Sequence, residues 1–77
     1  MAAESWWDAP QIRPSEIRVG DIIGTTRPTD ERYTVRMISS PQKSPGQWTF
    51  FGRDDVGRQH TGTFGEDELV RRYVKAS

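Results

Sequence analysis

The amino-acid sequence predicts a mainly β domain: a small five-stranded barrel or roll, preceded by an extended N-terminal arm and carrying one short helical turn near residues 66–68. Three observations support this expectation. Short segments of alternating apolar and polar residues recur along the chain; proline, glycine and acidic clusters separate them at close intervals; and a glycine-bearing loop of hairpin length joins two of them. A parallel α/β fold would instead place a helix between successive strands.

Residues 1–14 form the arm, where Pro10 and Pro14 push their preceding residues toward extended geometry around the Trp6-Trp7 pair. The barrel is expected over residues 15–75. A Gly20-Asp21 turn precedes the β-branched pair Ile22-Ile23, which sets a first strand at about 21–26, followed by a loop at Arg27-Pro28-Thr29-Asp30-Glu31. From Arg32 to Ser39, alternation puts Tyr33, Val35 and Met37 on one face and Thr34, Arg36 and Ile38 on the other. Pro41, Pro45 and Gly46 then break the pattern. Gln47 to Arg53 alternates again, Asp54-Asp55-Val56-Gly57-Arg58 is a hairpin loop with Gly57 suited to positive φ, and Gln59 to Phe64 returns. Gly65-Glu66-Asp67-Glu68 reads as a single helical turn, since acidic residues favour a helix start. Residues 69–74 are assigned as the fifth strand; a short helix competes, because Leu69, Val70 and Tyr73 fall at helical spacing.

The Val19-Gly20-Asp21 approach, the strand pair around Trp48, the glycine hairpin and the acidic turn before the last strand together resemble SH3-like and KOW-type small barrels over residues 17–74. The resemblance implies a fold and no particular activity.

A chain of 77 residues holds one small core and is marginally stable without added staples. It contains no cysteine and one histidine, so disulfides, thiolate zinc sites and imidazole clusters are excluded, and no cofactor is expected. Lysine plus arginine and aspartate plus glutamate both number 11, so no global field draws the chain to nucleic acid or an anionic membrane. Nine of the cations are arginine, which suits bidentate contacts, although codon bias in a GC-rich genome explains the same excess and takes precedence. Without a basic start, an apolar run or a membrane-length segment, the expectation is a cytoplasmic protein, of bacterial or phage origin by its size and arginine bias, with no membrane partner.

Catalysis has poor candidates. Ser39, Ser40 and Ser44 as nucleophiles with His60 as base lack any nucleophile-elbow motif, and His60 is read as structural. Asp54-Asp55 and Glu66-Asp67-Glu68 lack the spaced ligands of a calcium loop and are read as turn chemistry. With Val35, Met37, Trp48, Phe50 and Phe64 turned inward, the outer face becomes Thr34, Arg36, Thr49, Phe51, Arg53, Thr61 and Thr63. A ring among arginines and threonines anchors a protein partner or stacks a base, unless the arm covers it. An aromatic cage of Tyr33, Trp48 and Phe51 is disfavoured because Phe51 alternates away from the other two.

Trp6 and Trp7 have three fates: folding back onto the domain, which ranks first, insertion into a partner, or self-association. Two functions follow. The first is a protein-interaction or accessory module using Phe51, its neighbouring arginines and the Trp arm, with a structural assembly subunit as a variant. The second is nucleic-acid binding through Arg36, Arg53, Arg58, Arg71 and Arg72 with Phe51 stacking.

Overall fold

The computed structural model describes residues 5–41, 43 and 46–76. The first four residues of the arm, and Ser44 and Pro45 of the proline-rich break, lie outside the described residues. Six strands form one antiparallel sheet: β1 (Gln11–Ile12), β2 (Ile22–Gly24), β3 (Arg32–Ser39), β4 (Gln47–Arg53), β5 (Gln59–Gly65) and β6 (Val70–Val74). Their order is β1-β6-β2-β3-β4-β5. The expected five-stranded barrel is corrected on two points, because a sixth strand is present and the sheet is not closed. The extra strand comes from the arm, where Gln11 and Ile12 pair with Arg71 and Val70.

The strand segments predicted from alternation all form, including β6, where the helical alternative is not adopted. Helical spacing is overridden at β6 because it has strands on both sides, β1 and β2, to take its backbone groups. The helical turn expected near residues 66–68 is a simple turn, in which the Glu68 N–H donates to the Gly65 carbonyl at 3.0 Å. Among the described residues the helical element is instead a 3₁₀ turn at Pro14–Glu16, where Pro14 pre-sets φ and the Arg13 N–H donates back to Glu16 Oε2 at 3.1 Å. Gly57 has φ +87° in the β4–β5 hairpin loop, the conformation its residue type was expected to supply.

Ile17, Ile23, Tyr33, Val35, Phe50, Phe64 and Val70 form the core, with Ile12, Ile38 and Trp48 packed against it. One face assignment is overturned. Met37, expected inside, is 57 % exposed, and Ile38 packs on the core in its place. The cause is a β-bulge: Val35 pairs with Gly52 and Met37 with Phe51, leaving Arg36 as an extra residue. One added residue reverses the pleat beyond it.

Among the described residues, Asp21 is the buried charge, at 1 % exposure. Its carboxylate accepts the N–H of Arg18 at 2.9 Å and of Ala76 at 2.7 Å, and it faces Arg72 Nη1 at 3.6 Å. Its own carbonyl accepts the Val35 N–H at 2.8 Å, so one residue ties the turn before β2 to β3 and to the chain beyond β6. Truncating it orphans both N–H groups and the Arg72 guanidinium. Asp21→Ala should cost about 3 kcal/mol, at the low end for a broken buried pair because Arg72 keeps some solvent access. In a domain of this size that is a fall in Tm of roughly 10–20 °C, measurable by thermal unfolding.

Candidate outer-face binding site

The side of the sheet opposite the core presents three rows across β3, β4 and β5. Thr34, Arg53 and Gln59 form one; Met37, Phe51 and Thr61 the next; Ser39, Thr49 and Thr63 the third. Thr49 and Thr63 join through their hydroxyls at 3.2 Å. Phe51 is half-buried between exposed Met37 and exposed Thr61. Arg36, displaced by the bulge, is exposed beside Met37.

Arg36, Met37, Phe51, Arg53 and Thr61 line a shallow cleft of about 270 Å³. Arg36 and Arg53 also border a neighbouring groove of about 590 Å³, together with Arg58 and the carboxylates of Asp30, Glu31, Asp54 and Asp55. Among the described residues, no hydrogen bond or ion pair engages the guanidinium of Arg36 or Arg53. Arg58 lies 3.4 Å from Asp54. The site is thus an apolar pair flanked by two uncommitted cations, with acidic residues at one margin.

The hairpin loop that borders this groove is fixed by Asp54. Its Oδ1 accepts the N–H groups of Val56 at 3.0 Å and Arg58 at 2.9 Å, and its Oδ2 lies 2.8 Å from His60 Nε2. An ionised carboxylate only accepts, so Nε2 carries the imidazole proton. The His60 ring stacks on Tyr33, with centroids 5.2 Å apart and planes 6° apart. Tyr33 is buried, its Oη has no hydrogen-bond partner, and burial raises its pKa to about 12. That hydroxyl sits where a side chain at residue 62 would begin, since a Cβ on Gly62 would lie 2.7 Å from it.

Of the residues singled out from sequence, the fold gathers Arg36, Phe51, Arg53 and Arg58 on this one side. Arg71 and Arg72 are elsewhere and already engaged. Arg71 donates from Nη1 to the carbonyls of Trp7 at 3.3 Å and Ala9 at 3.0 Å, and its guanidinium lies 4.1 Å from the Trp6 ring centre. Arg72 faces Asp21. Trp6 folds back, donating from Nε1 to the Thr25 carbonyl at 2.8 Å, whereas Trp7 is 70 % exposed. The arm therefore docks on β6 and the end of β2, at the other end of the strand order from Phe51.

The register also separates residues that the sequence could have brought together. Ser39 pairs with Thr49, while His60 pairs with Gly52, so the serine and the imidazole sit on opposite neighbours of β4 and three residues apart along it. Tyr33, Trp48 and Phe51 do not converge, since Tyr33 is in the core and Phe51 faces away from it. Met37 was missed as a surface residue because alternation alone does not announce a bulge. The signal available was the run Val35-Arg36-Met37-Ile38, in which either Met37 or Ile38 suits the core.

No protein-family model, curated protein or solved structure matches the chain. Among the described residues, no helix is long and apolar enough to cross a membrane.

Two measurements check this geometry. Trp6→Ala should lower stability by about 2 kcal/mol through lost packing and the lost arginine contact, while Trp7→Ala stays within about 0.5 kcal/mol, both read from urea unfolding. The Asp54 carboxyl is held at about 2, against an ordinary 3.8, first by the His60 hydrogen bond and then by the two N–H groups and Arg58. A depressed folded-state value makes this contribution present above 3.8 and lost as the pH falls through about 2. The stability difference between wild type and Asp54→Asn should accordingly be level at neutral pH and shrink across that acidic window.

Proposed function

We propose that the chain is a non-catalytic protein-binding module of the SH3-like, KOW-type class, and that it seats its partner on the outer face of β3, β4 and β5. The observation that supports this reading is the pair Met37 and Phe51, solvent-accessible and cross-strand neighbours, flanked by Arg36 and Arg53, which have no hydrogen-bond or ion-pair partner among the described residues. Aromatic, methionine and arginine side chains are those enriched where protein interfaces carry their affinity. The class assignment rests on the strand succession, with β6 returning beside β2 after the β4–β5 hairpin.

Nucleic-acid binding is the second reading, favoured by the position of Phe51 among Arg36, Arg53 and Arg58, where a base would stack and phosphates would meet guanidinium groups. Protein binding takes precedence because Asp30, Glu31, Asp54 and Asp55 share the groove with those arginines. A phosphate backbone would meet four carboxylates there, and the net charge of zero supplies no compensating field. A polypeptide of mixed charge satisfies both signs.

Affinity capture with the wild-type domain, in parallel with Phe51→Ser and Trp7→Ala and with nuclease added to half of each sample, tests the reading. A protein partner retained after nuclease, lost with Phe51→Ser and kept with Trp7→Ala supports it. Its affinity should change little from low to moderate salt. Capture abolished by nuclease, with affinity falling steeply as salt rises, would transfer the site to nucleic acid.

A further inference from the structure

The open sheet leaves two edges, and they are built differently. β1 is two residues long and lies between Pro10 and Pro14. β5 is seven residues long and pairs along its full length with β4 only. From Gln59 to Gly65 it contains no lysine, arginine, aspartate, glutamate or proline, and its ladder with β4 has no register shift. Charge, proline and bulges are the usual guards of a free edge, and β5 has none of them.

The direction of its backbone groups follows from two bonds that bracket the β4–β5 ladder. The Asp54 N–H donates to the Arg58 carbonyl at 3.0 Å, and the Glu66 N–H to the Gly46 carbonyl at 3.2 Å. Both belong to the register in which even-numbered residues of β5 bond to β4, so its odd-numbered residues turn their N–H and C=O groups outward. Gly65 is already satisfied, donating to Glu68 Oε1 at 2.9 Å and accepting from the Glu68 N–H at 3.0 Å. Gln59, Thr61 and Thr63 remain. Among the described residues, nothing bonds to their outward groups. A cleft of about 200 Å³ lies between this strand and Thr25 and Thr26.

We propose that β5 pairs with β5 of a second copy of this chain, antiparallel about a twofold axis at Thr61, so that two six-stranded sheets become one. The free groups are self-complementary in this arrangement. Thr61 bonds reciprocally with Thr61 of the second copy, Gln59 with Thr63 and Thr63 with Gln59, and every outward N–H and C=O of the three residues acquires a partner. The closed point symmetry stops the association at two. A head-to-tail join of β5 to β1 would align only two residues and leave the rest of β5 bare. Zero net charge adds no long-range repulsion between copies.

Sedimentation equilibrium over a broad concentration series tests the proposal. Wild type should reach twice the chain mass of 8.8 kDa. At the axis the two Cα atoms would be about 5.5 Å apart, so like charges there oppose each other directly. Thr61→Lys and Thr61→Glu, both at an exposed outer-face position, should each stay monomeric while keeping the β circular-dichroism spectrum, and an equimolar mixture of the two should recover the doubled mass. Phe51→Ser should remain dimeric, which separates this result from the outer-face reading. A wild type of single-chain mass throughout the series, a Thr61→Lys variant that still dimerises, a mixture that stays monomeric, or loss of the dimer in Phe51→Ser would each overturn it.

Discussion

The carboxylate of Asp21 is the constraint on which the rest of the sheet depends. A charge buried in a domain this small is costly to desolvate, and it is tolerated because two backbone N–H groups and Arg72 surround it. Its partners come from three places in the chain: the turn at Arg18, the strand β6 at Arg72, and Ala76 beyond it. β6 lies between β1 and β2, so what fixes β6 also fixes the seat of the arm and the edge of β2. In a chain with no cysteine, this polar knot does the joining that a disulfide does in other small domains.

Much of the strand succession was legible because the chain punctuates itself. Pro28, Pro41 and Gly46 occupy the breaks, Gly57 occupies the hairpin, and the alternation around Tyr33, Val35, Phe50 and Phe64 reports a one-sided sheet. What was not legible depends on long-range pairing. Gln11 and Ile12 look like any extended pair until β6 lies beside them, and the purpose of Asp21 is visible only when Ala76 arrives, 55 residues later. Pairing of Asp54 with His60 is hidden for a similar reason: each reads separately as a turn residue and a strand residue.

The candidate site was legible in composition more than in position. Phe51, Arg36 and Arg53 fall on the outer face by simple alternation, and Arg58 joins them from the loop. Arg71 and Arg72 share their residue type but not their circumstances. One caps carbonyls and stacks on Trp6, and the other neutralises Asp21, so charge counting along the sequence overstates the cationic surface. The two tryptophans divide in the same way: the hydrogen bond to the Thr25 carbonyl makes Trp6 part of the domain and leaves its neighbour on the surface.

The bulge at Arg36 gives chain length, and not only residue identity, control over the outer face. Removing Arg36 would restore strict alternation with Val35 still opposite Gly52 and Met37 still opposite Phe51, so the apolar pair would keep its place and lose only the exposed guanidinium beside it. The cation beside the Met37–Phe51 pair is therefore a product of an insertion. Among chains of this architecture, the presence or absence of that single extra residue would sort those that set a cation against the outer apolar pair from those that do not, a distinction that comparison of matched positions alone would pass over.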